Sequence, residues 1–152
     1  MYAFRRATPA DAERVAHQRR RMFVDMGHPD DAGMEEAIRA FVPWVRRSLE
    51  SGYYAGFLAC EGDEVVAGAG LMLLEWPPRA DSLQTLRGYV LNVYTEPGHR
   101  GRGLARALVG QALEHCRGRG ARTVALHASE AGRRIYEGLG FRPSNEMLWR
   151  AP

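Results

Sequence analysis

Val93-Tyr94-Thr95-Glu96-Pro97-Gly98-His99-Arg100-Gly101-Arg102-Gly103-Leu104-Ala105 changes its period midway. It reads as a strand, a turn, a glycine-rich corner and a helix N-terminus. Glycines let a backbone come close to a ligand. The first N–H groups of a helix lack intrahelical partners, and the helix dipole is positive there. A pyrophosphate is the natural occupant of such a corner. Arg100, Arg102 and Arg106 add positive charge. The same residues also fit a plain strand-to-helix connection with solvated arginines. They fit neither a Walker loop, which needs its Lys-Ser/Thr, nor the G-x-G-x-x-G dinucleotide fingerprint.

Outward from this corner the chain alternates between two periods. Upstream, Tyr2 to Ala7 reads as a strand. Thr8-Pro9 reads as an N-cap and first helical proline, with Asp11 and Glu13 in the first turn. Val15, Arg19, Met22, Phe23 and Met26 continue that helical stripe. A second helix is expected from about Gly33 to Ser51, kinked or split by Pro43. Tyr54 to Cys60 and Val65 to Glu75 flank Glu61-Gly62-Asp63-Glu64 as a hairpin. Gly88 to Thr95 is the strand that enters the corner. Downstream, Leu104, Leu108, Ala112 and Cys116 mark the apolar face of a strong helix. Thr123 to Ala128 reads as a strand, Glu130 to Leu139 as a helix, and Glu146 to Arg150 as a last strand. The expected order is β-α-α-β-β-β-α-β-α-β: an α+β fold with a central mixed sheet flanked by helices. The 152 residues suit a single domain, 1–152.

A second informative segment is Ser129-Glu130-Ala131-Gly132-Arg133-Arg134-Ile135-Tyr136-Glu137-Gly138-Leu139-Gly140-Phe141. Ser129 is a good N-cap, Gly140 a stop, and Phe141 returns the chain to the core. Tyr136 reads either as an amphipathic packing residue or as a phenol with one wet end.

Together the two segments closely resemble the GNAT superfamily of acetyl-CoA-dependent N-acetyltransferases. The family's Arg/Gln-x-x-Gly-x-Gly/Ala signature is met by Arg100, Gly103 and Ala105. Its Tyr-Glu-x-Leu-Gly-Phe stretch is met by Tyr136 to Phe141. The resemblance implies a GNAT-like fold and transfer of an acetyl group from acetyl-CoA directly to a primary amine, through a ternary complex. The acceptor, a small molecule, peptide or protein, is not identified. Backbone groups of Val93, Tyr94 and Thr95 would pair with the pantetheine arm. The N–H groups of Gly101, Arg102, Gly103, Leu104, Ala105 and Arg106, beside Arg100, would hold the pyrophosphate. An N–H near Val93 to Thr95 would polarise the thioester carbonyl. Tyr136 would protonate the departing thiolate. Ser129 stands where many relatives carry asparagine, and being shorter it would reach the cofactor only through water. A non-catalytic acyl-CoA-binding sensor domain is the alternative function. A homodimer is compatible with the resemblance.

An amine acceptor is mostly protonated at neutral pH and has to lose a proton. Glu75, at the end of a strand, is the candidate base; Glu96, His99 and His127 are weaker ones. The resemblance places acceptor specificity in Met26 to Glu36 and Trp76 to Arg87. There Asp30, Asp31, Glu35, Glu36 and Asp81 either draw a cationic amine or are plain solvated charge. Asn92 is a polar residue within an apolar strand. It points into the cleft or satisfies the sheet.

Composition excludes other classes. The chain is 45% hydrophobic and 26% charged, as in an ordinary globular protein. No apolar run approaches the roughly 20 residues of a membrane span, and the N-terminus lacks a signal-peptide core. A cytoplasmic location is expected. Cys60 and Cys116 read as buried core thiols, and no Cys/His spacing suggests a metal. The net charge of +3 and dispersed basic residues do not imply nucleic acid. All 21 basic residues are arginine. Without lysine the chain has no side-chain ε-amine to acetylate on itself. Mass spectrometry after incubation with acetyl-CoA is expected to find internal side-chain nitrogens unmodified. An acetylated internal side-chain nitrogen would contradict this.

Overall fold

The computed structural model describes residues 1–152. Strand β1 spans Tyr2–Arg6 and leads through a short turn, Pro9–Asp11, into helix α1, Ala12–Asp25. Thr8 starts that turn as expected: its N–H donates to the Asp11 carboxylate at 2.8 Å. Arg5 grips the same carboxylate with both terminal nitrogens. Helix α2 runs unbroken over Ala32–Ser51. Pro43 does not split it; it lies exposed on the outer face, where the missing N–H faces water.

Gly52, at φ 80°, ends α2, and the hairpin follows as β2 (Tyr54–Glu61) and β3 (Glu64–Glu75). Strand β4 (Leu86–Thr95) pairs antiparallel with β3, and helix α3 (Leu104–Gly118) follows the corner. Strand β5 (Val124–Leu126) then pairs parallel with β4. The sheet has the order β1-β2-β3-β4-β5, mixed and flanked by helices on both faces. On one face Ala55, Phe57, Leu71 and Val90 pack against Leu104, Leu108 and Ala112 of α3. On the other, Tyr54 packs against Val15 and Ala16 of α1 and Phe41 and Val45 of α2. The alternation of strand residues between the two clusters is the period-2 pattern made physical. Cys60 and Cys116 are buried free thiols, and burial pushes the Cys116 thiol up to about 11.

Three sequence expectations are corrected. Strand β5 is shorter than Thr123 to Ala128. Helix α4 covers Arg133–Glu137 rather than Glu130 to Leu139, because Gly132 and Arg133 donate to the Ser129 carbonyl in a preceding turn. The last strand, Glu146 to Arg150, does not form. Pro143 has no N–H to give a ladder. Arg87, at the start of β4, holds Glu146 in an ion pair. The chain has therefore passed the three residues of β5 before the strand-like run begins. Met147, Leu148 and Trp149 stand 97%, 65% and 81% exposed.

Glycines in the hairpin make room for the side chains beneath. A Cβ on Gly70 would lie 1.9 Å from the Tyr54 hydroxyl, and one on Gly68 would lie 2.2 Å from Gln18 Oε1. Gly70→Ala is expected to destabilise the fold by about 1–3 kcal/mol, the usual cost of overpacking. Chemical denaturation checks this; an unchanged midpoint would show that Tyr54 is free to move.

Candidate functional site

The site begins where β4 loses a partner. Strand β5 pairs with β4 only from Gly88 to Val90. From Leu91 onward β4 is bonded on the β3 side alone. The β3–β4 register slips between Gly68 and Gly70. Asn92 lies at this bulge with φ 54°, the one non-glycine residue at positive φ. Such a bulge bends a strand and re-aims its backbone groups.

Asn92 is buried, and its side chain satisfies the sheet. Its amide donates to the Tyr54 hydroxyl at 3.1 Å, and its carbonyl accepts from Arg19 at 2.6 Å. Burial raises the Tyr54 phenol to about 12. Burial also lowers Arg19, whose guanidinium lies over the rings of Phe23 and Phe41. Arg19 was legible only as a charged residue inside an apolar helical stripe. That misplaced charge was the signal for this network.

Beyond the bulge lies a cleft of about 1140 Å³. Val93 to Thr95, Gly101, Gly103 to Arg106, Ser129 to Gly132, Ile135 and Tyr136 line it. The cleft thus gathers Tyr136 and every expected cofactor residue except Arg102. In the corner, Gly101 and Gly103 have φ values of 74° and 77°. Arg100 N–H bonds to Pro97, and the next backbone bond is Ala107 N–H to Gly103. The six N–H groups between, Gly101 to Arg106, have no backbone acceptor. They converge where the α3 dipole is positive, an arrangement that binds anions.

The arginines have other work. Arg100 donates from Nε to the Thr95 carbonyl at 2.9 Å and pairs with Asp25. Arg102 turns away from the cleft to the Tyr2 hydroxyl and the Gly98 carbonyl. Arg106 donates to the Gly138 carbonyl at 3.1 Å, tying α3 to α4. Backbone amides, not these side chains, form the free positive surface.

Tyr136 is 8% exposed, and burial raises its phenol above the ordinary value. Its ring meets Phe141 edge-on at 6.0 Å. Tyr136 lines the cleft, and its hydroxyl has no hydrogen-bond partner in the protein. Ser129 Oγ accepts from Gly132 N–H at 3.2 Å, so it caps the turn before α4. A Cβ on Gly132 would lie 2.7 Å from the Tyr136 ring. Gly132 is a positioning residue that the sequence did not single out.

Of the base candidates, His99 lines this cleft with Tyr136, and Glu75, Glu96 and His127 do not. Glu75 is exposed and paired in register with Leu86. It lies seven residues along the ladder from the level of Val93, roughly 20 Å away. Glu96 accepts from the Tyr94 hydroxyl. His99 and His127 are paired with the Tyr2 and Tyr89 hydroxyls. Among the acidic residues near α2, Arg20 binds Asp30 and Glu35, and Asp31 caps α2 at Met34. A second cleft, about 620 Å³, meets the first at Tyr136; β5, the loop from Trp76 to Arg87 and residues 141–146 line it. No group of three or more His, Cys, Asp or Glu is placed to hold a metal ion. No helix is long and apolar enough to cross a membrane.

Comparison with known proteins gives one answer. A family model described as the acetyltransferase (GNAT) family matches residues 14–141. The rat N-acetyltransferase 8B is 32% identical over 132 residues, 82% of this chain and 58% of that protein. The glucosamine 6-phosphate N-acetyltransferase of Trypanosoma brucei brucei is 35% identical over 84 residues, 55% of each chain. The chain therefore spans little more than half the length of these curated relatives. A GCN5-related N-acetyltransferase from Ralstonia eutropha superimposes with a TM-score of 0.92 at 36% identity, over 99% of both chains. A predicted acetyltransferase from Clostridium acetobutylicum, solved with acetyl-CoA, gives 0.88 at 26% identity, over 99% of this chain and 96% of that one.

Replacing Gly103 by valine forces a β-branched residue to positive φ at the start of α3. CoA affinity, measured by calorimetry, is expected to fall at least about tenfold, the effect of losing ~1.4 kcal/mol of binding. Unchanged affinity would remove the corner from the binding site.

Proposed function

The chain belongs to the acetyltransferase (GNAT) family, and on that premise we propose that it moves an acetyl group from acetyl-CoA directly to a primary amine through a ternary complex. The observation that carries this reading is the run of six unpartnered N–H groups at the α3 corner, next to a strand edge with no partner. The corner takes the CoA pyrophosphate. The free edge of Val93 to Thr95 takes the pantetheine arm as an added strand, though Arg100 already occupies the Thr95 carbonyl.

This places the thioester between the bulge and Tyr136. An N–H re-aimed at the bulge polarises the carbonyl and steadies the oxyanion. The neutral amine attacks the carbonyl carbon, a C–N bond forms, and the C–S bond breaks. Tyr136 donates its proton to the departing sulfur. Its raised pKa suits that role, because the phenol stays protonated through the neutral range. Of the four named base candidates, His99 alone lines the first cleft, and its Nδ1 is bonded to the Tyr2 hydroxyl. Water is the acceptor of the amine proton in this scheme. The substrate is a small molecule, peptide or protein bearing a primary amine.

Thiol release from acetyl-CoA across a broad amine panel tests the reading. CoA binding without turnover of any amine would favour a sensor domain instead. With an active amine, Tyr136→Phe is expected to lower kcat about 10²-fold while CoA affinity stays within about twofold. An equally active variant would remove the acid role. The sign with pH follows from the raised phenol: the acid form is lost only as pH rises through a value above the ordinary ~10. A loss of kcat below pH 9 assigned to Tyr136 would contradict it.

A further inference from the structure

Arg19 is a cation without a counter-charge. Its guanidinium carbon lies 4.7 Å from the centre of the Phe23 ring and 4.8 Å from that of Phe41. Its one hydrogen bond runs from Nη1 to the Asn92 carbonyl oxygen at 2.6 Å. No carboxylate pairs with it; burial lowers its pKa, and only the Tyr54 phenol opposes that. Arginine stays charged all the same. A half-buried charge without an opposite charge is costly, and aromatic faces offset only part of the cost. Nε and Nη2 donate to no protein acceptor. Gln18 Nε2 is the one wholly enclosed side-chain polar atom without a partner, so those two nitrogens still reach the surface.

Arg19 also lies beside the reacting region. Asn92 is the bulge residue, and the next residue, Val93, lines the cofactor cleft. Arg19, Phe23 and Met26 follow one face of α1. Met26, at the C-terminal end of that helix, lines the same cleft. Arg19 is seven residues back, roughly 10 Å along the helix axis. The acids nearby are mostly committed. Arg20 binds Asp30 and Glu35, and Arg100 binds Asp25. Asp31 caps α2, which leaves the exposed Glu36. The unbalanced charge next to the bulge is therefore positive.

We propose that Arg19 binds a carboxylate carried by the acceptor, so that the substrate is a compact amino acid with a free primary amine; this rests on the acetyl transfer proposed above. Nε–H and Nη2–H form one side of the guanidinium fork and match the two oxygens of a carboxylate. One cation balances one negative charge, whereas a phosphate dianion calls for a second. The roughly 10 Å from Arg19 to the cleft keeps amine and carboxylate a few methylene groups apart.

Straight-chain amino acids from glycine and β-alanine upward, compared with their amides, test this, because the amide keeps the amine and loses the charge. The best acid is expected to have a kcat/KM at least about tenfold above that of its amide, as for a hydrogen bond to a charged group. Arg19→Gln is expected to bring the pair within about twofold, and Arg19→Lys to keep part of the difference. A bulge merely disturbed by the substitution would slow both alike and leave the ratio as it was. Equal rates for acid and amide, or an unchanged ratio in Arg19→Gln, overturn the proposal while acetyl transfer stands. So does a preference for amines that carry a phosphate. NMR of the CoA-loaded protein gives a readout without turnover. The Arg19 Nε–H signal, identified by its loss in Arg19→Gln, is expected to shift saturably with the acids and not with the amides. That shift without turnover of any amine would sink the transfer reading and keep the carboxylate site. A signal unmoved by every acid overturns the site.

Discussion

Strand β4 has two neighbours for its first half and one for its second, and the geometry of the cleft follows from that change. A continuous ladder would bury the peptide groups of Val93 to Thr95 and leave no opening. The separation is held by the bulge at Asn92, and the bulge by a polar chain through Tyr54 and Arg19. Tyr54 has space only because Gly70 lacks a side chain. A glycine in one strand, a tyrosine in the next and an arginine on a helix thus act together on one backbone torsion.

Much of this was legible in residues. The change from period 2 to period 3.6 across Thr95 to Leu104 located the corner. The hairpin was marked by its Gly62-Asp63 turn, and α3 by its apolar stripe. Tyr136 and Phe141 were marked by the resemblance of residues 136–141 to the family's Tyr-Glu-x-Leu-Gly-Phe stretch. The last strand was misread because a short apolar run reports a preference for pairing and not the presence of a partner. Met147 to Trp149 carries the pattern of a strand, yet the ion pair of Glu146 with Arg87 takes it past β5. Sequence shows that Glu75 ends a strand but not how far along the ladder from Val93 it lies. Gly132 escaped notice since its role is defined only by the ring that crosses above it.

The arginines illustrate the same limit. Sequence showed charge near the corner, and the structure shows that charge mostly committed. Arg5 takes both oxygens of Asp11, Arg20 joins Asp30 to Glu35, and Arg102 joins the Tyr2 hydroxyl to the Gly98 carbonyl. A guanidinium fork can span two acceptors in fixed geometry, which a lysine ammonium does less well. In a chain without lysine, the basic residues serve widely as internal braces.

The corner before α3 is made of peptide N–H groups held by two glycines at positive φ. An amide carries no titratable proton, so the recognition element itself has no ionisation state to lose. It also has no side-chain identity. Codons for Arg102, Leu104, Ala105 and Arg106 can change without removing a single donor, provided the backbone turns as before. The site is therefore encoded chiefly as conformation, with Gly101 and Gly103 as its least exchangeable letters. Sequence drift around those two positions can be large while the ligand meets the same surface.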